Sequence, residues 1–315
     1  MKRPPSSTPA AGPTPSSVED LEFVIEPRAR DLDGLVVARL LPAVARQLVG
    51  PFIFLDHFGP ALLRPPQALD IRPHPHIGLA TITYLLEGEI LHRDSLGSAQ
   101  AIQPGAVNWM TAGRGIVHSE RTPAALRAAP SRLHGLQLWV ALPRADEETT
   151  PDFHHHAAEA LPVVRDGGIE LRVLAGEAFG ARAPVRTSSP LFLLDVSLAD
   201  GALLPVPAGQ ADRAAYVVAG GLRAGGSLIQ AGRLALLRSG AAPRLVAVGA
   251  TRALLLGGEP LGERRHAWWN FVSSSRERIE EAKAAWAGGR FPKVPGDEVE
   301  FTPLPAHHAH PGATE

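Results

Sequence analysis

Two segments of the chain repeat one pattern at a fixed spacing. Residues 73–76, Pro-His-Pro-His, align with residues 205–208, Pro-Val-Pro-Ala. In the same frame, residues 84–88, Tyr-Leu-Leu-Glu-Gly, fall on residues 216–220, Tyr-Val-Val-Ala-Gly. An internal repeat of this length constrains the fold more than any single motif does, and it predicts a duplicated β-barrel.

Both halves of the repeat have the sequence pattern of an all-β protein. Short apolar runs with β-branched and aromatic residues, such as residues 80–86, alternate with turns rich in Gly, Pro and Asp. We predict a disordered tail at 1–20, a first barrel at 21–142, a connector at 143–164, a second barrel with a helix at 165–302, and a second disordered tail at 303–315.

The sequence predicts one amphipathic helix near the C-terminal end. Ser274 followed three residues later by Glu277 has the spacing of a capping box, and Gly288-Gly289 would end the helix. Ile279 and Trp286 fall on one face, so the helix should pack on a sheet through Trp286.

Composition excludes several classes of function. The 315-residue chain has a net charge of −1 and no cysteine, which argues against nucleic-acid binding, excludes disulfides and leaves imidazole and carboxylate groups as metal ligands. No run of about 18 apolar residues occurs, and Pro and Ser follow the first basic residues where a secretory signal would be apolar. We therefore expect a cytoplasmic monomer with no membrane or direct nucleic-acid partner.

Four residues could form a metal site in the first half. In an extended segment, His74 and His76 point to the same side, and His118 and Glu120 repeat that spacing after a glycine-rich turn. Three imidazoles and a carboxylate suit iron, manganese, nickel, copper, cobalt or zinc. The duplicate carries Val206 and Ala208 in place of the first two histidines, so the fold itself does not require them.

A single His-x-His motif also occurs by chance, with the histidines as hydrogen-bonded polar groups at a barrel rim. The paired motif and its absence from the duplicate favour the metal. The remaining histidines have simpler interpretations: His57 would be structural or support a ligand, His92 and His134 would hydrogen-bond within the barrel, and residues 154–156 would be solvated.

The motifs resemble those of the pirin family, which belongs to the cupin superfamily. The resemblance extends to the C-terminal helix and departs from many pirins at Leu79-Ala80, where those proteins have Phe-Glu. The matching stretches are residues 50–60, 74–76, 83–88, 104–105, 109–120, 134–140 and 256–261.

Membership of this family would imply two cupin barrels packed face to face, with one metal ion, usually iron, in the N-terminal barrel. Carried over residue by residue, its ligands are His74, His76, His118 and Glu120. Because the family's Phe-Glu glutamate is not a ligand, the substitution at Leu79-Ala80 would alter the pocket without removing the metal.

The resemblance implies two classes of function. Some pirins are quercetin 2,3-dioxygenases, which would make a flavonol and dioxygen the substrates and Glu120 both a ligand and the catalytic base. Animal pirins are iron-dependent cofactors of transcription factors, which would make this chain a redox-sensitive binding protein with a protein partner. The composition favours the enzyme, and the substrate could also be another small enolisable molecule.

Overall fold

The computed structural model describes residues 20–32 and 34–305, so the two predicted tails lie outside it apart from residue 20 and residues 303–305. The described part is built of strands and one α-helix, which confirms the all-β class with a C-terminal helix. The elements are β1 (Leu21–Ile25), β2 (Arg28–Leu32), β3 (Leu35–Leu41), β4 (Phe52–Leu63), β5 (Asp70–His76), β6 (Leu79–Glu87), β7 (Ile90–Asp94), β8 (Ala99–Ile102), β9 (Val107–Thr111), β10 (Ile116–Arg121), β11 (Ser131–Ala141), β12 (Asp152–His156), β13 (Val163–Asp166), β14 (Ile169–Ala178), β15 (Ala181–Arg182), β16 (Leu191–Leu198), β17 (Leu203–Pro205), β18 (Asp212–Ala224), β19 (Ser227–Gln230), β20 (Leu234–Leu237), β21 (Arg244–Gly258), β22 (His266–Trp268), β23 (Phe271–Ser273) and α1 (Arg276–Ala287).

Two sheets form the first barrel. One has seven strands in the order β12-β9-β6-β11-β4-β3-β2, and the other has four in the order β5-β10-β7-β8. A ten-stranded sheet, with β20, β18, β21 and β16 at its centre, forms the second barrel. The two barrels are the duplicated β-barrels that the repeat predicts.

Two strands cross the domain limits drawn from the sequence. β1 lies within the range assigned to the first barrel, yet it pairs with β20 of the second. β12 lies within the predicted connector, yet it extends the first barrel by pairing with β9. β1 therefore belongs to the sheet of the second barrel, and the predicted connector contributes a strand to the first barrel.

The face-to-face packing of the barrels buries one equivalent tyrosine from each repeat. A single apolar core runs through both domains and contains Tyr84 and Tyr216, which are both fully buried. The Tyr84 hydroxyl donates to Oδ2 of Asp195 in the second barrel at 2.6 Å. The Tyr216 hydroxyl lies 2.6 Å from Nδ1 of His57 in the first. Each tyrosine therefore joins its own barrel to the other one.

Removing the Tyr84 hydroxyl should destabilise the protein more than removing that of Tyr216. Tyr84→Phe deletes a hydrogen bond to a buried carboxylate, which contributes about 1.5–3 kcal/mol, whereas Tyr216→Phe deletes a bond between neutral groups, which contributes about 0.5–1.5 kcal/mol. Urea unfolding of both variants measures the difference. Equal losses would show that the charge on Asp195 adds nothing to the contact.

The helix begins one residue later than the capping box predicted. Ser275, not Ser274, is the N-cap, and its hydroxyl accepts from the backbone N–H of Arg278 at 3.2 Å. Ser274 instead donates its backbone N–H to Glu147 at 2.8 Å. Ser274 has the right spacing to Glu277, but a tertiary partner that the sequence does not reveal takes its polar groups.

The helix packs on the β22–β23 hairpin, with Ile279 and Ala282 buried. The Trp286 ring contacts Phe291 and Phe301, and its Nε1 donates to the carbonyl oxygen of Thr302. Trp286 therefore packs against the apolar cluster that contains Phe271 of β23 and also anchors the C-terminal segment. No helix in the described ranges is long and apolar enough to cross a membrane.

Candidate metal centre

Three histidines from two paired strands converge inside the first barrel. β5 carries His74 and His76, and His118 of β10 lies directly opposite His74 in the antiparallel register. The ring centroid of His118 lies 4.3 Å from that of His74 and 5.0 Å from that of His76. One donor atom from each histidine lies within 4.8 Å of the other two. The side-chain alternation that the sequence predicted therefore brings the three imidazoles together.

A glycine fixes the turn that follows the first two histidines. Gly78 has φ of +67°, and a Cβ at this position would lie 1.9 Å from the carbonyl oxygen of Val272. Glycine alone tolerates both the left-handed conformation and this close approach. The contact holds the end of β5 against β23, which adjoins the histidine cluster.

The imidazoles have the protonation state and free nitrogen atoms that a metal requires. Burial lowers the pKa of His74 to about 4 and holds the pKa values of His76 and His118 well below the ordinary range. Nδ1 of His74 bonds the carbonyl oxygen of Arg72 at 2.9 Å, which leaves Nε2 free. Among the described residues, Nδ1 of His76 and Nε2 of His118 are buried without a hydrogen-bond partner. Neutral, buried and unpartnered nitrogen atoms fit a borderline divalent cation.

A hydrogen-bonded chain supports His118 from behind. Nδ1 of His118 lies 3.4 Å from Nδ1 of His92, and Nε2 of His92 lies 3.0 Å from Oδ2 of Asp94. The other Asp94 oxygen accepts from two backbone N–H groups. The prediction that His92 hydrogen-bonds within the barrel is confirmed. Its contact with His118 was missed, because the His-x-Asp spacing of residues 92–94 on a strand signals only the bond to Asp94.

Glu120 lies in the same cavity but stands apart from the cluster of three. Oε1 of its buried carboxylate accepts from the Thr83 hydroxyl at 3.0 Å. Burial raises the pKa of Glu120, and the bond from Thr83 opposes that shift. Its role as a fourth ligand remains a prediction, because the convergent donor atoms are those of the histidines.

The cluster opens into a cavity of about 300 Å³ with mainly apolar walls. The Phe54 and Trp139 rings stack at 4.0 Å, and the His76 ring meets Trp139 edge-on at 5.1 Å. Trp268 and Trp269 also line the cavity. Three tryptophans therefore line the candidate site.

A row of polar side chains crosses the inner face of the seven-stranded sheet. Adjacent strands place its members opposite one another, and Thr83 in the middle of the row is the residue that contacts Glu120. The row links the candidate site to both edges of the sheet. Its members in order are Arg28, Arg39, Asp56, Gln137, Thr83, Asn108 and His155.

Family models match both halves of the chain. The model described as Pirin matches residues 34–140, and the Pirin C-terminal cupin domain matches residues 193–292. A pirin-like protein of Caulobacter vibrioides is 48% identical over 288 residues, which cover 90% of this chain and 99% of the relative. The chain belongs to the pirin family.

Two further relatives extend the comparison. A Pseudomonas aeruginosa protein named as a candidate quercetin 2,3-dioxygenase is 38% identical over 92% of this pirin and 93% of its own length. The crystal structure of a quercetin 2,3-dioxygenase from Acinetobacter baumannii superposes with a TM-score of 0.84 and 33% identity, covering 91% of this chain and 96% of the other.

The histidines at 57, 134 and 154–156 lie outside the cluster. Nε2 of His57 lies 2.7 Å from Nε2 of His134, so His134 hydrogen-bonds within the barrel as predicted, while Nδ1 of His57 reaches Tyr216 across the domain interface. Burial lowers the pKa of His57 to about 4. His154 bonds Asp152, and His155 bonds Asn108. Residues 154–156 are half-buried in β12, and the expectation that they are simply solvated was wrong.

This pirin should bind one metal ion per chain, in the first barrel. Within residues 20–32 and 34–305, the three histidines are the only group of three potential ligands close enough to hold an ion, and Val206 and Ala208 replace two of them in the repeat. Elemental analysis of the full chain should therefore approach one equivalent, and the double variant His74→Ala/His76→Ala should approach zero. Two equivalents in the wild type would contradict a single site.

Proposed function

We propose that this chain is a metal-dependent dioxygenase that acts on a flavonol or a similar enolisable small molecule. The observation that carries the proposal is the group of three neutral, buried imidazoles at the base of an apolar, aromatic cavity. Such cavities bind small molecules, and the relatives named for quercetin dioxygenation supply the substrate class.

The residues of the cluster and its surroundings would bind the metal ion. His74, His76 and His118 would hold the ion, with Glu120 as the proposed fourth ligand. Once bound, the metal supplies Lewis acidity that lowers the pKa of a substrate hydroxyl. Iron is our expectation, and the same donors suit manganese, nickel, copper, cobalt or zinc.

Glu120 would accept the proton of that hydroxyl. Its carboxylate lies in the cavity, and the Thr83 hydroxyl holds one of its oxygen atoms at 3.0 Å, which leaves the second oxygen for the substrate. The aromatic walls at Phe54 and Trp139 would orient a planar ring system and exclude water from it.

Metal analysis followed by oxygen uptake tests this proposal. The purified chain, loaded in turn with each candidate metal, is mixed with a panel of flavonols and enediols. We expect oxygen consumption with at least one pair of metal and substrate. If no pair consumes oxygen, the enzymatic proposal fails, and the redox-dependent binding protein becomes the better account.

A further inference from the structure

Positive charge is concentrated on the cavity side of β2 and β3. Arg28 lies opposite Arg39 in the β2–β3 register, and Arg39 lies opposite Asp56 in the β3–β4 register. Arg30 lies two residues from Arg28 and therefore on the same face. Arg28 and Arg30 thus lie on the same face as Arg39, which alone bonds the carboxylate of Asp56, and this part of the sheet carries excess positive charge.

Arg39 uses only part of its hydrogen-bonding capacity. Its Nε and Nη2 donate to the two carboxylate oxygens of Asp56 at 2.8 and 2.7 Å. In the described part of the chain, its Nη1 makes no hydrogen bond. The side chain is 15% exposed and lines the cavity, so the free edge of the guanidinium is available to a ligand there. Asp56 fixes the guanidinium plane in advance, which lowers the entropic cost of binding.

Arg28 adds a positive charge that makes no salt bridge with an acidic side chain among the described residues. Its Nη2 donates to the carbonyl oxygen of Pro42, whereas its Nη1 is buried without a partner among the described residues. Burial and the neighbouring guanidinium groups of Arg30 and Arg39 lower its pKa. A buried guanidinium nitrogen with no acceptor favours an anion nearby.

A column of stacked groups connects Arg39 to the histidine cluster. The Arg39 guanidinium carbon lies 4.5 Å from the Phe54 ring centroid, Phe54 stacks on Trp139, and Trp139 meets His76. A planar molecule that lies beside this column with its chelating oxygens at His76 would extend its other end toward Arg39.

We propose that Arg39 forms an anion subsite, so that the substrate is a planar enolisable compound with a carboxylate at the end remote from its chelating oxygens. The inference rests on the proposed function for the chelating end alone. The proposed substrate carries a carboxylate that a simple flavonol lacks. Arg39 would therefore determine the specificity for that carboxylate.

Equilibrium binding tests the subsite without turnover. The full chain is loaded with Zn²⁺, which has no redox chemistry, and titrated with 3-hydroxyflavone or with its 4′-carboxylate. The two probes share the chelating end and differ only in the remote charge. We expect the wild type to bind the carboxylate at least about tenfold more tightly, because the bond to a guanidinium is charge-assisted.

The variant must not leave Asp56 as an unpaired buried charge. Arg39→Gln combined with Asp56→Asn removes both charges together, and it should bind the two probes equally while its affinity for 3-hydroxyflavone changes less than about threefold. The matched control is Arg252→Gln with Asp195→Asn, a pair of the same bidentate geometry outside the cavity. The control should keep the wild-type preference.

Three results would overturn the subsite: equal affinity of the wild type for both probes, an unchanged preference in the Arg39 variant, or an equal loss in the control. The proposed function fails separately. A retained preference for the carboxylate without oxygen uptake for any metal and substrate would refute the dioxygenase and support the subsite.

Discussion

Glu120→Gln, loaded to the metal content of the wild type, should consume oxygen with a flavonol at least about a hundredfold more slowly. An amide oxygen can still coordinate a cation, but an amide cannot accept the substrate proton, and loss of a general base typically costs about 10²–10⁴-fold in rate. The variant should therefore retain its metal and lose most of its turnover. Metal analysis and oxygen uptake on the same preparation measure both.

Glu120→Asp is the matched control, because it keeps the carboxylate and shortens the side chain by one methylene. We expect it to retain more activity than the amide at equal metal content. Wild-type turnover in Glu120→Gln would exclude the base. A loss of activity only in proportion to lost metal would make Glu120 a ligand and nothing more.

The sequence predicted the histidine cluster because its geometry is local. The spacing of His74 and His76 on one strand already determines a shared face, and the second pair repeats it. The proximity of His118 to His74 requires only that β10 and β5 pair with each other. The internal repeat likewise predicted the duplicated barrels, whereas their face-to-face packing was expected from the family resemblance alone.

Features that depend on long-range pairing were not predictable. β1 and β12 have ordinary strand sequences, and nothing local in them indicates that one pairs with residues 234–237 and the other with residues 107–111. The polar row has the same origin, since its members come from seven different strands and meet only through register. The contact of His92 with His118 likewise depends on the pairing of β7 with β10.

His118→Ala should lose most of the bound metal, and His92→Ala should weaken metal affinity by about 10–100-fold without abolishing it. The first change removes a donor nitrogen from the cluster. The second leaves all three donors but removes the side chain that orients the His118 ring, a role that the sequence alone did not assign to His92. Competition with a chromophoric chelator measures both affinities on one scale.

His154→Ala combined with His156→Ala supplies the control for this series. These two imidazoles lie on the face of β12 opposite His155, which bonds the inner-face residue Asn108, and they contact none of the three convergent histidines. Their loss should leave metal affinity unchanged. An equal decrease in all three variants would mean that the histidines bind metal without a defined centre. Wild-type affinity in His92→Ala would show that His118 keeps its orientation through packing alone, without the hydrogen bond that reaches Asp94.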